Sequence, residues 1–333
     1  MRTFDTVRVE RSDPLAIDTA LPLQCDCHPA GFLLRIATNS RHVLDAAREA
    51  WSHYPRQLYP CAAIEFRVVV KPEGPLSREP SHRAHGHLYT ALADADNLAC
   101  CDLEALRASI FVSERTAADH NRLRWCFVES LAYMLLAQRY VVPVHAACVA
   151  RENAGVLLCG PAGAGKSTLA YACARAGWRY LADDAVFLLP DDERRIAIGQ
   201  RRQFRLRPDA PRLFPELAVL VPRVRANGRV GIEAPLDSST RIKAAGSARI
   251  MNVIVLDRRG TGKADLQPIP AEEVTARLLR DMPSYGAEVN AMHERCVRRL
   301  EGVPSFRLRY SGLADAVECL DRVAAGVVHE VAV

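Results

Sequence analysis

The segment GPAGAGKST, residues 160–168, places the tightest constraint on how this chain can fold. A glycine, four residues and then Gly-Lys-Ser is the pattern of a phosphate-binding loop. The strand-like run AGVLLCG precedes it, and the helical run KSTLAYACARAG follows and ends at Gly177. This context matters because the backbone N–H groups of the loop and the amino terminus of the helix surround the anion together. The sequence therefore predicts an α/β fold built around a nucleotide site.

Each position of the loop has an expected role in holding ATP. Lys166 is expected to contact the β- and γ-phosphates, and the Ser167 hydroxyl is expected to bind Mg²⁺. The whole segment is expected to wrap the phosphates with its backbone: Gly160, Pro161, Ala162, Gly163, Ala164, Gly165, Lys166, Ser167 and Thr168. The alternative is a chance match in a turn rich in glycine and alanine, which the flanking strand and helix disfavour. The loop leaves the phosphoryl acceptor open.

Two adjacent carboxylates, Asp183 and Asp184, follow in the segment WRYLADDAVFLLP. Apolar residues flank the pair on both sides, so we expect it to lie inside a strand, at the end that faces a bound ligand. One carboxylate can hold the metal, and the second can accept a proton from an attacking hydroxyl. The alternative is a solvated turn, in which aspartate is common. We favour the functional interpretation.

Two single residues and one segment are further candidates. His145 lies in the run VPVHAACVA, predicted as an apolar strand, where a lone histidine is more often a core residue than a catalytic one. Arg249 precedes the buried run IMNVIVLD and is a candidate for stabilising the transferred phosphoryl group. The segment 201–212 is rich in arginine, and it can bind phosphates or an acidic substrate, or form a solvated surface. Its arginines are Arg201, Arg202, Arg205, Arg207 and Arg212.

Length and composition bound the remaining possibilities. A chain of 333 residues predicts two domains. The pattern changes near residue 141, which predicts a small mixed α/β domain over 1–140 and a nucleotide-binding domain over 141–333. Of the 44 basic residues only four are lysines, and the formal charge is only +5. An arginine excess of this kind is weak support for nucleic-acid binding, so a nucleic-acid partner is not expected.

The sequence also bears on compartment and membrane association. The amino-terminal segment MRTFDTVRVERSDPLAID has no apolar core of the kind a secretory signal needs. No apolar run approaches the roughly 20 residues of a membrane span. The 11 cysteines are odd in number and scattered, which is typical of reduced thiols rather than of a disulfide framework. We therefore expect a cytoplasmic protein with no membrane partner.

Taken together, His145, the loop and the run LADD resemble the kinase domain of HPr kinase/phosphorylase and its HPr-kinase-related relatives. That family has a histidine upstream of the phosphate loop and an ADD strand end close behind it. The clear resemblance covers about residues 145–190, and a looser one includes IMNVIVLDRR and FRLRYSGLADAVECLDRV. The resemblance implies a P-loop kinase fold related in architecture to phosphoenolpyruvate carboxykinase, preceded here by the small mixed α/β domain.

The resemblance also implies roles for individual residues. Asp184 corresponds to the base that takes a proton from a serine hydroxyl and returns it in the reverse phosphorolysis. Asp183 corresponds to a carboxylate on the metal side, Ser167 to a metal ligand and His145 to an active-site residue. The cofactors implied are ATP and Mg²⁺, the partner is a protein or peptide bearing the serine, and a homo-oligomer is also implied.

Two departures from the family pattern narrow this expectation. The region GQRRQFRLRPDAPRLFPELA has no glutamate where the family signature carries one, so we expect a kinase without phosphorylase activity. The first 140 residues match no part of the family's amino-terminal domain. The alternatives left open are a small-molecule kinase of the same fold and a nucleotide-sensing or assembly module with negligible turnover.

Overall fold

The computed structural model describes residues 19–200, 202–225, 228–236 and 242–326. The amino-terminal segment on which the prediction about a secretory signal rests lies outside the described residues, as does Arg201 of the arginine-rich segment. Within the described ranges the protein has a mixed α/β fold with more than one mixed sheet. No helix in these ranges has the length and apolar character needed to cross a membrane.

The first sheet is built from the first half of the described chain. Within the described ranges its seven strands are β1 (Leu23–Cys27), β2 (Leu34–Thr38), β3 (Ile64–Lys71), β4 (Ser81–His85), β5 (Leu88–Leu92), β6 (Leu98–Asp102) and β7 (Arg107–Ser113). Their order across the sheet is β1-β2-β3-β7-β6-β5-β4, with β2, β3 and β7 parallel and the other neighbours antiparallel. Helix α1 (Arg41–Trp51) joins β2 to β3, since parallel neighbours need a crossover connection.

A helical segment leads from the first sheet to the second. It consists of α2 (Glu114–Ala118), α3 (His120–Leu123), a π-helical turn over Arg124–Val128, and α4 (Glu129–Ala137). Ser113 caps α2, because its hydroxyl accepts a hydrogen bond from the Thr116 amide at 3.2 Å. The carboxylate of Asp119 caps α3 in the same way. This region is therefore a series of short helical elements and not one continuous helix.

The second half of the described chain forms the second sheet, a small third sheet and four helices. The strands are β8 (Val142–Val144), β9 (Ala147–Arg151), β10 (Ala154–Cys159), β11 (Arg179–Ala182), β12 (Val186–Leu188), β13 (Ile196–Gly199), β14 (Gln203–Leu206), β15 (Arg223–Val224), β16 (Val230–Pro235), β17 (Ser247–Arg258), β18 (Asp265–Pro268) and β19 (Ser305–Tyr310). The helices are α5 (Lys166–Arg175), α6 (Ala271–Arg280), α7 (Ala287–Arg298) and α8 (Leu313–Ala324).

Strand pairing divides these elements between the two sheets. The second sheet has the order β11-β9-β10-β17-β13-β12-β8, and β19 pairs with both β17 and β18. In it β10, β17 and β19 run parallel, and the other pairs are antiparallel. The third sheet has the order β14-β16-β15 and carries part of the arginine-rich segment.

The two halves of the chain pack against each other. Phe187 and Ile198, from strands β12 and β13, are buried in the hydrophobic core of the first sheet. Nε2 of His293 lies 2.8 Å from the backbone carbonyl oxygen of Ala137. The predicted boundary near residue 140 falls between α4 and β8, and the division into two domains stays a prediction.

Candidate functional site

The glycine-rich loop lies where three parallel strands end. Cys159, the last residue of β10, pairs with Val255 of β17, and Arg258 pairs with Tyr310 at the ends of β17 and β19. The carboxyl ends of parallel strands meet at one edge of a sheet, which is where α/β proteins bind ligands. The predicted strand-loop-helix arrangement is present, with β10 before the loop and α5 after it.

This loop requires glycine for two reasons: its backbone adopts positive φ angles, and one position has no room for a side chain. Gly163 and Gly165 have φ angles of 87° and 97°, a region that residues with a Cβ rarely adopt. A Cβ added at Gly165 would collide with the Tyr310 hydroxyl. That hydroxyl donates a hydrogen bond to the Ala164 carbonyl at 3.0 Å and so fixes the loop against β19. The loop conformation therefore depends on a residue about 145 positions later, as well as on its own sequence.

We expect Gly165→Ala to lower the free energy of unfolding by about 2–5 kcal/mol. Roughly 1–2 kcal/mol comes from the left-handed backbone, and a further ~1–3 kcal/mol comes from overpacking against Tyr310. Gly262→Ala is the matched control, because Gly262 has a φ of 105° with open space around it. Denaturant unfolding of both variants separates the two effects, and equal losses would contradict the role of Tyr310.

Lys166 begins α5 and is held on the loop itself. Its side chain is buried, with only 7% of the residue exposed. The Nζ atom donates to the carbonyl oxygen of Gly160 at 2.7 Å and lies 3.4 Å from that of Pro161. Burial lowers the pKa of Lys166, and the nearby charge of Asp184 opposes that shift. The ammonium group therefore lies over the loop. A bound anion could replace the two carbonyl oxygens as the partner of this group.

Asp183, Asp184 and His145 lie at the same edge as the loop. Their placement follows from register, because Ala147 of β9 pairs with Leu158 of β10 and Cys148 pairs with Ala182 of β11. The expectation that both segments are continuous strands is wrong. His145 lies in a break between β8 and β9, and the two aspartates lie in a bend between β11 and β12.

Both breaks have one physical cause. Among the described strands, β9 pairs with β10 and β11, whereas β8 pairs only with β12, at the opposite end of the sheet order. The segments 142–151 and 179–188 run antiparallel to each other, through the pairing of β9 with β11 and the pairing of β8 with β12. Each segment must bend between its two strands, where one pairing ends and the other begins. The bends remove His145 and Asp184 from the hydrogen-bond ladder and leave their side chains facing each other.

Asp183 is the buried member of the carboxylate pair. It is only 5% exposed, and its Oδ2 accepts a hydrogen bond from the Arg205 amide at 2.6 Å. Burial raises its pKa to about 6, against the opposing effects of Arg205. The Tyr180 hydroxyl lies 3.1 Å from Asp183 Oδ1 and 3.0 Å from the Gln203 carbonyl oxygen. Since that hydroxyl has one proton and two acceptors, it donates either to the Asp183 carboxylate or to the Gln203 carbonyl, and not to both at once.

We expect Asp183→Asn to flatten the pH dependence of stability between about pH 4 and pH 6. A carboxyl whose pKa is raised from 3.8 to about 6 on folding binds more protons in the folded state. Its contribution to stability is therefore fully present below pH 3.8 and is lost as the pH rises through about 6. The total is on the order of 3 kcal/mol. Asparagine has no such titration, and its amide can replace the protonated carboxyl by donating to Tyr180.

The measurement is the free energy of unfolding of both proteins in denaturant over that pH range, without nucleotide. The wild type is expected to lose stability relative to Asp183→Asn as the pH rises. A difference between them that stays constant with pH would contradict the assignment.

Asp184 is the accessible member of the pair. Its side chain is 51% exposed, and His145 Nδ1 lies 3.3 Å from its Oδ1. A guanidinium nitrogen of Arg205 lies 4.0 Å from its Oδ2. Asp184 is thus an accessible carboxylate held between two cationic or hydrogen-bonding groups, the geometry expected of a positioned base.

The oxygen atoms at this edge are of the kind that binds Mg²⁺. The Ser167 hydroxyl donates to the backbone carbonyl of Asp183 at 3.3 Å, so the serine and the carboxylate pair lie together. Magnesium prefers oxygen ligands and keeps several of its waters. Asp183 has used one lone pair of each oxygen, which leaves others for a metal or its water. Among the described residues no group of three or more His, Cys, Asp or Glu side chains forms a protein-only metal cage.

Arg249 is not brought to this edge. It pairs with Ala154 at the start of β10, whereas the loop follows the end of that strand. Five residues of extended chain separate Ala154 from Cys159, a distance of about 16 Å. Arg249 is the third residue of β17, and this strand runs toward the loop, so Arg249 lies at the end of the strand far from the loop.

Two other arginines lie beside the loop, in the position that was expected for Arg249. A cavity of about 160 Å³ beside the loop is lined by Thr168, Arg207 and Arg258, among others. Arg207 was predicted only as a member of the arginine-rich segment, and Arg258 was missed. Its signal was present in the sequence, because Arg258 directly follows the buried run IMNVIVLD, at the carboxyl end of a parallel strand. Tyr180 and Tyr310 carried no comparable signal.

No family model matches the sequence, and no curated protein matches it. Among solved structures, the HPr(Ser) kinase/phosphatase from Coxiella burnetii aligns with 55% of this chain and 98% of its own. The sequence identity is 13% and the TM-score is 0.27. A likeness of this degree does not identify an activity, which has to be argued from the residues.

Proposed function

We propose that this protein is an ATP- and Mg²⁺-dependent kinase that transfers the γ-phosphoryl group to a serine hydroxyl of a protein or peptide. The observation that carries the proposal is the shared edge of the second sheet. There a loop of phosphate-binding pattern lies beside an accessible carboxylate that contacts a histidine. A module that only binds nucleotide has no need of such a base. We further propose that residues 141–333 are the kinase domain and residues 1–140 a separate domain, and that the protein acts in the cytoplasm.

In the proposed reaction Asp184 accepts the proton of the attacking hydroxyl. His145, 3.3 Å away, orients the carboxylate, and Arg205 limits its movement on the other side. The loop amides and Lys166 hold the phosphates, because they present N–H donors to an anion at the start of a helix. Ser167 and Asp183 would hold Mg²⁺, which when bound neutralises charge on the phosphates. Asp183, buried and hydrogen-bonded, positions the bend that presents Asp184.

The test is incubation of the protein with γ-labelled ATP and a cell extract. Label that migrates with protein or peptide supports the proposal, and recovery of labelled phosphoserine after partial acid hydrolysis identifies the acceptor residue. Label found only in metabolites would instead indicate a small-molecule kinase. Tight ATP binding with neither label transfer nor ADP formation would indicate a nucleotide-sensing or assembly module.

A further inference from the structure

A cleft beside the carboxylate pair has a strongly basic lining. It has a volume of about 240 Å³, and Ser167 and Asp184 form part of its wall, so it opens directly onto the proposed reaction centre. Opposite walls come from the helical segment before β8 and from the third sheet. Six arginines line it, against three carboxylates: Arg124, Arg202, Arg205, Arg223, Arg225 and Arg229, with Glu129, Glu233 and Asp184.

The ion pairs of the cleft leave several arginines without a carboxylate of their own, although Arg124 also pairs with Glu49 behind the cleft lining. Glu129 lies 3.4 Å from Arg124 and 3.5 Å from Arg202, so one carboxylate serves two guanidinium groups. Glu233 lies 3.9 Å from Nε of Arg225, beyond hydrogen-bond distance. Burial lowers the pKa of Arg202 and of Arg225, which reflects the cost of placing these cations where water is partly excluded. Additional anions would relieve that cost.

Donor groups remain for such anions. A guanidinium has five N–H donors, and the only acceptor within 4.0 Å of the Arg205 side chain among the described carboxylates is Asp184. Arg223 is exposed at the mouth, on β15, and forms no ion pair with the described residues. Arg225 donates through Nη2 to the backbone carbonyls of Leu206 and Ile232, while its Nε is buried without a hydrogen-bond partner in the described part of the chain. Arginine binds carboxylates in a bidentate manner, so the lining suits clustered carboxylates.

The mouth of the cleft suits a polypeptide better than a small acid. Its volume is below the roughly 300–1,000 Å³ of typical small-molecule sites, so an acceptor would continue beyond it. Two large apolar side chains, Trp125 and Val224, line the cleft and are 39% and 71% exposed. Val219 and Val221, which precede β15 in the chain, are also exposed. Exposed apolar residues next to a charged cleft are a feature of peptide-binding surfaces.

We propose that this cleft binds an acidic segment of the acceptor polypeptide, with carboxylates paired to the arginines and apolar side chains against Trp125 and Val224. This inference rests on the proposed function, and it identifies the class of substrate: a serine flanked by acidic residues. The arginine-rich segment then has a substrate-binding role through Arg202 and Arg205, while Arg207 lies at the separate cavity beside the loop.

The test uses three fluorescein-labelled peptides of equal length with one central serine, flanked by glutamates, glutamines or lysines. Binding is followed by fluorescence anisotropy in the presence of ADP and Mg²⁺, so that no turnover is needed. We expect the glutamate peptide to bind at least about tenfold more tightly than the glutamine peptide, as a few charge-assisted hydrogen bonds provide. The advantage should decrease as salt is added.

Arg223→Glu is the diagnostic variant, because Arg223 is exposed and its replacement leaves the core intact. Arg83→Glu is the matched control, since Arg83 is an exposed arginine on β4 of the other sheet. We expect roughly tenfold weaker binding of the glutamate peptide by Arg223→Glu alone. Circular dichroism and thermal unfolding establish that both variants are folded.

Three binding results would overturn the inference: equal binding of the glutamate and glutamine peptides, equal losses in the two variants, or displacement of the peptide by citrate at matched carboxylate concentration. These results are separate from failure of the proposed function. Selective binding of the acidic peptide without transfer from ATP would contradict the kinase assignment and leave the cleft assignment standing. Equal phosphoryl transfer to the glutamate and glutamine peptides would contradict the cleft assignment and leave the kinase assignment standing.

Discussion

Asp184→Asn is expected to lower phosphoryl transfer by about a hundredfold to ten-thousandfold, the range that removal of a general base produces. Asparagine keeps the size and most of the polar contacts of the side chain, but it cannot take up the proton of the acceptor hydroxyl. The side chain is 51% exposed and reaches only His145 and Arg205 among the described charged groups, so its replacement leaves the loop in place. Nucleotide affinity should therefore change little.

The measurement is single-turnover transfer from γ-labelled ATP, with ATP affinity determined separately by calorimetry. Asp265→Asn is the control, because Asp265 is an exposed aspartate on β18. Undiminished transfer by Asp184→Asn would remove Asp184 from the role of base. Loss of ATP binding in the same variant would show instead that the carboxylate belongs to the nucleotide site.

Lys166→Met is expected to abolish the protection that ATP gives against thermal unfolding and to lower transfer by about a hundredfold or more. The buried ammonium lies over the loop carbonyls of Gly160 and Pro161, ready to pair with a phosphate oxygen. Methionine has a similar length and no charge, so it fills the same space without that interaction. A ligand present at about a hundred times its Kd stabilises the folded state by about 2.7 kcal/mol, and this gain should disappear.

Without nucleotide the variant should be about as stable as the wild type. Burial lowers the pKa of Lys166, so removal of the charge offsets the hydrogen bonds lost to the loop. Lys263→Met provides the control at an exposed lysine. An ATP-dependent rise in the Tm of Lys166→Met equal to that of the wild type would contradict the assignment of the nucleotide site.

The local part of the candidate site could be predicted from the sequence, because the contacts that form it are local. A strand, a glycine-containing loop and a helix follow one another between residues 154 and 175, and the pattern of apolar and glycine residues specifies each of them. Arg249 shows the limit of this reasoning. The sequence places it next to a buried strand, but only the register with β10 shows which end of the sheet it occupies.

The sequence by itself determined that a phosphate-type loop exists, and that a histidine and two aspartates stand near it in the chain. Only the tertiary structure decided that His145 and Asp184 face each other, that Asp183 is buried, and that arginines from β14 and β15 complete a cleft with the helical segment. The physical reason is strand pairing. Segments 142–151 and 179–188 must each bend where their partners change, and those partners lie elsewhere in the chain.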